Sequence, residues 1–181
     1  MPQLKKAAYR IRRTKISDIP RLNEIEVAAD RLFSGTGLLD GLPEVEMIPH
    51  AAFEAAINEG LAHTLVDWKG KPIGFTLCSL RDPDLYLDQI SVDPAYGRRG
   101  LGGRLMAQIL DLARKNNRTS LSLSTFRDIP WNGPYYAKFG FTELSRTALE
   151  PWMLDMEMAQ AQYLDVSKRC FMRCTLSDSD E

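Results

Sequence analysis

The chain has 181 residues, 44% of them hydrophobic and 26% charged, with a formal net charge of −1. That is enough for one domain with a full core, 1–181, and it leaves no basic field to attract nucleic acid. No apolar run approaches the roughly 20 residues of a membrane span, and no signal-like apolar core follows the first residues, so a cytoplasmic chain with reduced Cys78, Cys170 and Cys174 is expected. The only histidines, His50 and His63, share no metal-like spacing with those cysteines, so no metal is expected.

In chain order, residues 1–8 read as a frayed end, and Tyr9-Arg10-Ile11-Arg12 as a first strand. Ser17 reads as a helix N-cap with Pro20 in the first turn, followed by a stripe of Leu22, Ile25, Ala29, Leu32 and Phe33. Glu26 and Asp30 stand one turn apart on a neighbouring face, either a solvated face or a lure for a cationic substrate. A loop rich in glycine and acid spans 34–48, and Pro49 to Asn58 reads as a short helix stopped at Gly60. Leu61 to Trp68 and Ile73 to Leu80 form a hairpin about Lys69-Gly70-Lys71-Pro72, with His63 as a structural residue inside it. Another strand runs from Leu85 to Val92.

Past Val92 the pattern changes. Asp93-Pro94-Ala95-Tyr96-Gly97-Arg98-Arg99-Gly100-Leu101-Gly102-Gly103 leads from the strand into a helix over 100–116. Its apolar stripe is Leu101, Leu105, Ile109, Leu112 and Ala113. A helix start carries unpaired N–H groups and partial positive charge, and glycines there let an anion sit on the amides. Arg98, Arg99 and Arg104 add charged donors. A phosphate or pyrophosphate is the expected ligand, against the plainer reading of a strand-to-helix turn. The P-loop and the dinucleotide fingerprint both fit poorly.

The remainder reads as a strand at Leu121 and Leu123, a short helix over Pro130 to Phe141 ended by Gly140, and strands over Phe141 to Ala148 and Cys170 to Leu176. Between those last two, Trp152, Met153, Met156, Ala159 and Tyr163 form a helical stripe suited to the core or to a homodimer. Ser177 to Glu181 reads as an acidic tail.

This order of elements resembles the GCN5-related N-acetyltransferase (GNAT) superfamily over nearly the whole chain. Val92 to Gly102 is similar to its acetyl-CoA signature Q/R-x-x-G-x-G/A, with Gly97 at the Gln/Arg place. Asn132-Gly-Pro-Tyr-Tyr136-Ala-Lys-Phe-Gly140-Phe141 is similar to its closing motif of Asn, Tyr and Gly-Phe. The resemblance implies an α/β (α+β) domain with a twisted, mostly antiparallel sheet of about seven strands flanked by helices on both faces. It implies direct transfer of an acetyl group from acetyl-CoA to a primary amine. Ile90, Ser91 and Val92 would then hold pantetheine and the thioester carbonyl. Arg98, Arg99, Gly100, Leu101, Gly102 and Gly103 would hold the pyrophosphate, with Asn132 and Tyr135 completing the cofactor site. Tyr136 matches the tyrosine that protonates the departing thiolate, with Tyr135 as its rival. Asp88 is the nearest match for the general base, with Glu26 and Asp30 as rivals and as candidate substrate contacts. The acceptor stays open among small amines, antibiotics, amino acids and protein N-termini or lysines, with the acidic loop and Glu26/Asp30 favouring a small cationic molecule. A non-catalytic acyl-CoA sensor and a nucleotide-binding regulator are the alternatives from other classes.

Overall fold

The alternating apolar segments become strands, and the computed structural model, which describes residues 9–40 and 48–176, arranges seven of them in one sheet. They are β1 (Arg10–Arg13), β2 (Ala62–Val66), β3 (Pro72–Arg81), β4 (Asp84–Val92), β5 (Ser120–Phe126), β6 (Thr142–Glu143) and β7 (Arg169–Thr175). The strand order is β1-β2-β3-β4-β5-β7-β6. The helices are α1 (Ile19–Asp30), α2 (His50–Asn58), α3 (Leu101–Lys115), α4 (Gly133–Ala137) and α5 (Pro151–Gln160). The expected mostly antiparallel sheet is what forms, with β4 and β5 parallel because α3 carries the chain back between them. The described residues divide into two compact units, 9–32 with 48–79 and 89–109, and 33–40 with 80–88 and 110–176.

In the first unit β1 pairs antiparallel with β2 from Arg10↔Val66 to Arg13↔His63, and β2 pairs with β3. Leu65, Ile73, Leu101 and Leu105 form a buried cluster, with Ile11, Ile90, Val92 and Tyr96 packed against it. Neighbouring residues of a strand face opposite ways. Thr64 therefore points away from that cluster, and its hydroxyl lies 2.8 Å from that of Thr14 and donates to Asp18 at 3.4 Å. The sheet thus carries the start of α3 on one face and the foot of α1 on the other. Ile19, Leu22 and Ile25 of α1 are fully buried, and Phe53 of α2 rests on Phe75 with ring centroids 5.7 Å apart.

The start of α1 differs from expectation. A 3-10 turn over Ile16–Asp18 precedes it, so Asp18 and not Ser17 stands at the helix N-cap. The carboxylate of Asp18 accepts the Lys15 N–H at 2.9 Å and the Arg12 guanidinium at 2.6 and 2.9 Å. These bonds close the 3-10 turn ahead of α1 and so move the helix start one residue on; the Asp18 side chain makes no bond to an N–H of α1 itself. At the other end α1 stops at Asp30, and Leu32 is exposed instead of continuing the stripe.

In the second unit β5 pairs antiparallel with β7 from Ser120↔Thr175 to Phe126↔Arg169. The parallel register of β4 with β5 covers Asp84↔Ser120 to Tyr86↔Ser122, and both strands run on past it. Asp84 is fully buried, and it accepts the Ser120 hydroxyl and Arg173 Nη2 and Nε, the latter two at 2.9 and 3.2 Å. A buried charge needs such pairing. Met153 of α5 is buried with Tyr86 and Phe171, and Trp152 and Met156 flank them. The helical stripe of this segment therefore packs within its own unit as far as Met156. Ala159, in the last turn of α5, is exposed, and so is Tyr163, because α5 ends at Gln160 before reaching it. The strand expected over Phe141 to Ala148 shrinks to Thr142–Glu143. Residues 145–148 are all exposed and lack the alternation that would bury one face, so the chain enters a 3-10 turn at Arg146. Residues 1–8, most of the acidic loop at 41–47, and 177–181 lie outside the described residues.

Candidate active site

The glycine turn of the first unit is held from several sides. Asp93 ends β4, and its Oδ1 accepts the Ala95 N–H at 3.0 Å, which starts a 3-10 turn over Pro94–Tyr96. Arg21 of α1 forms an ion pair with Asp93 and donates through Nε to the Pro72 carbonyl at 3.3 Å. The Tyr96 hydroxyl donates to Asp67 at 3.5 Å, and the same carboxylate accepts the N–H groups of Lys69 and Lys71, both at 2.9 Å. The β2–β3 hairpin turn is thereby tied to the glycine turn. Arg98 then takes a left-handed backbone (φ +59°), as does Gly100 (φ +71°), and α3 begins at Leu101. A Cβ added at Gly100 would meet open space, so the constraint there is on backbone conformation and not on room.

The first N–H groups of α3, from Leu101, Gly102 and Gly103, have no acceptor one turn earlier in the helix, as at any helix start, which suits this end to an anion. The arginines behave differently from the expectation of free charged donors. Arg99 donates to the Tyr9 hydroxyl at 2.8 Å and lies 5.4 Å over the Tyr96 ring, and Arg104 donates to the Tyr9 carbonyl at 2.8 Å. These two side chains fasten β1 to the turn. Arg98 is exposed.

Ile90 and Val92 pack on the Leu65–Leu101 cluster, while Ser91 is buried between them and accepts a hydrogen bond from Gln89 Nε2 at 2.9 Å. The Ser91 carbonyl is met closely by β3, because a Cβ on Gly74 would lie 2.9 Å from it. Glycine at 74 is what lets the two backbones approach there.

The second unit holds Asp88, Asn132, Tyr135 and Tyr136. Gly133 opens α4 where a Cβ would stand 2.3 Å from the Arg127 carbonyl, so only glycine allows this helix to lie against the end of β5. Tyr136 is buried, in edge contact with Tyr135 and Phe141. Burial first of all, and the neighbouring Tyr135, push its hydroxyl well above the ordinary tyrosine range, while Arg169 pulls the other way. Burial also raises the Tyr135 hydroxyl. The Asn132 carbonyl accepts the Tyr136 N–H at 3.0 Å, and Asn132 Oδ1 is buried with no hydrogen-bond partner among the described residues. An orphaned acceptor of that kind is suited to a ligand donor.

Asp88 is exposed. Glu26, in the first unit, is buried and accepts the Ile48 N–H at 3.3 Å. Asp30 is half-buried, and burial raises its carboxyl above the usual range. Two groups escaped the sequence reading. Arg169 is half-buried at the start of β7, and Tyr86 is buried on β4 with its hydroxyl donating to the Met156 sulfur at 3.0 Å. Neither belongs to a linear motif, and only the β5–β7 register and the placement of α5 give them neighbours.

A glycine turn at the head of a helix, between two parallel strands, is an α/β arrangement whose helix start suits an anionic ligand. The model of the acetyltransferase (GNAT) family matches residues 29–141, and the chain belongs to that family. Solved structures agree in fold. N-acetylglutamate synthase from Neisseria gonorrhoeae, complexed with coenzyme A and N-acetyl-glutamate, is 20% identical at a TM-score of 0.72 over 96% of this chain and 36% of its own. The chain thus spans about a third of that synthase. The ribosomal-protein-S18-alanine N-acetyltransferase from Escherichia coli is 21% identical at 0.65, covering 96% and 97% of the two chains. The yncA acetyltransferase from Salmonella typhimurium, with its cofactor acetyl-CoA, is 16% identical at 0.67, covering 97% and 98%.

Proposed function

We propose that the chain is a single acetyltransferase domain that moves an acetyl group from acetyl-CoA directly to a primary amine of a small molecule. The observation that carries this is the glycine turn, with left-handed Arg98 and Gly100, delivering β4 into the amide-bearing start of α3. The residues fit the donor. In this reading the amides of Arg98 to Gly103 hold the pyrophosphate, those of Ile90 to Val92 face pantetheine and the thioester carbonyl, and Asn132 and Tyr135 complete the contacts. A backbone N–H directed at that carbonyl favours the tetrahedral oxyanion over the ground state.

The amine must lose a proton, since a free alkylammonium has a pKa of about 10.4. Asp88 is proposed to accept it, directly or through water, with Glu26 and Asp30 drawing the cation toward the site. Tyr136 is proposed to give its proton to the departing thiolate. Its raised pKa keeps it protonated at neutral pH, the state a donor needs. Direct transfer is favoured over an acyl-enzyme: burial pushes the Cys170 thiol up to about 11, leaving little thiolate to attack. Likeness to acetyl-CoA-bearing folds such as yncA supports the donor.

Calorimetric titration with acetyl-CoA and with ATP tests the donor, and thiol release with an amine panel tests the transfer. Acetyl-CoA should bind and ATP should not, and at least one amine should release CoA thiol. Binding without any turnover would leave a sensor, and binding of ATP alone would leave a nucleotide-binding regulator.

A further inference from the structure

Arg169 differs from most arginines of the second unit in lacking a carboxylate partner, as does Arg81, which lies 5.7 Å over the Trp152 ring. Arg118, Arg127 and Arg173 each close on a carboxylate, those of Asp82, Glu143 and Asp84. Arg173 is instructive because it shares β7 with Arg169, four residues on and so on the same face. The partners of Arg169 are all neutral. Its Nε donates to Gln160 Oε1 at 3.1 Å, its Nη2 donates to Ser124 Oγ at 3.1 Å, and its guanidinium lies 4.7 Å over the Phe126 ring. The last register pair of β5 and β7, Phe126↔Arg169, puts it there, and the end of α5 brings Gln160 over it. A half-buried guanidinium stays charged, and burial of a charge beside neutral groups is unfavourable until an anion arrives. Those bonds use two of five N–H donors, and the planar fork suits a carboxylate.

What surrounds it gives the ligand a second requirement. Tyr86, on the neighbouring β4, has its hydroxyl raised by burial first, then further by Asp88, and it is lowered by Arg169. One hydroxyl thus feels a carboxylate from β4 and a guanidinium from β7. The Tyr136 hydroxyl feels the same guanidinium. The hydroxyls of Tyr86 and Tyr136 thus both lie in the field of this one guanidinium.

We propose that Arg169, held by Gln160 and Ser124, binds a carboxylate of the acceptor, so that the acceptor is an amino acid presenting its amine toward Asp88 and its acid group toward β7. This rests on the transferase reading above and narrows it from amines in general to zwitterions. A phosphate of the donor shares this anionic chemistry, and the experiment separates the two sources.

The test uses the full chain, acetyl-CoA, and the twenty L-amino acids each matched with its α-carboxamide, followed by thiol release. At least one amino acid should be acetylated with kcat/KM about tenfold or more above its carboxamide, the size expected of one charged hydrogen-bonding contact. In Arg169→Gln that ratio should fall to about one while the acetyl-CoA Kd is unchanged. Arg169→Lys, which keeps the charge and loses the fork, should retain part of the ratio, and it serves alone if the glutamine variant does not fold. The proposal is overturned if carboxamides match their amino acids, if the ratio survives in both variants, or if acetyl-CoA binds and no amino acid is acetylated. A loss of acetyl-CoA affinity in Arg169→Gln would assign the guanidinium to a donor phosphate and also overturn it. Failure of the wild-type chain to bind acetyl-CoA would instead remove the transferase reading, and this inference with it.

Discussion

The guanidinium of Arg21, on α1, closes on the carboxylate of Asp93, the residue at which β4 gives way to the glycine turn. Asp93 at the same time caps the turn through Ala95, and its N–H donates to the Ile73 carbonyl at 2.8 Å. One residue thus joins a helix, a strand and the proposed pyrophosphate site. Arg21→Ala should cost about 1 kcal/mol of stability, the discount reflecting partial exposure of the pair. It should also weaken acetyl-CoA binding several-fold without touching any residue read as a donor contact. Chemical denaturation and calorimetry on the same variant check both parts, and an unchanged Kd would mean that the turn holds its shape without α1.

Backbone amides, not arginine side chains, should dominate the grip on the donor. Arg99 and Arg104 are already engaged with Tyr9, whereas Gly102 lies in the first turn of α3. Gly102→Val should therefore weaken acetyl-CoA binding more than Arg99→Ala does, since a branched Cβ obstructs close approach of the anion. The two dissociation constants decide the order, and equal losses would give the role back to side-chain charge.

Tyr136→Phe keeps the buried ring against Tyr135 and Phe141 and removes the proton. We expect kcat to fall by about 10²- to 10⁴-fold with little change in acetyl-CoA affinity. Because the hydroxyl is raised above its ordinary range, it loses its proton only at still higher pH. The wild-type kcat profile should accordingly show no descending limb from this group up to about pH 10. A damaging Tyr135→Phe beside a harmless Tyr136→Phe would move the role by one residue.

Asp88→Asn removes the proposed base and preserves shape. With the true acceptor it should depress kcat/KM most below neutral pH, and the deficit should narrow as rising pH deprotonates the amine unaided. A flat loss across pH would show a structural role, and no loss would turn attention to Glu26 and Asp30.

The Asp18 carboxyl titrates with the fold. Burial alone would raise it, but the Arg12 guanidinium, the Lys15 N–H and the Thr64 hydroxyl outweigh burial and hold it below the usual carboxylate range. A group depressed on folding stabilises above its unfolded pKa and loses that contribution as pH falls through the folded value. Stability should thus decline below the ordinary carboxylate range, and Asp18→Asn should be less stable at neutral pH with a shallower acid slope. Urea midpoints between about pH 2 and about pH 7 would show it. Parallel slopes in the two proteins would mean that other carboxyls govern acid unfolding.

Much of this was legible before any coordinates. The alternation of Leu85, Leu87, Ile90 and Val92, the stop at Pro94, and the stripe from Leu101 to Ala113 are local signals with periods of two and 3.6, and they became β4, the turn and α3. Gly140 ended its segment with a positive φ, as a terminal glycine does. The expected strand over Phe141 to Ala148 failed because a strand needs a face to bury, and β7 offers β6 only two register pairs, Thr142↔Arg173 and Glu143↔Met172. Tertiary contact alone decided that Arg99 and Arg104 serve β1, that Asp93 answers to Arg21, and that Arg169 keeps neutral company. The physical reason is range. Helix and strand periodicity are written in neighbours a few residues apart, whereas the partner of a charge lies 72 positions away for Arg21 and Asp93 and 89 for Asp84 and Arg173, across strands whose register only the folded sheet fixes.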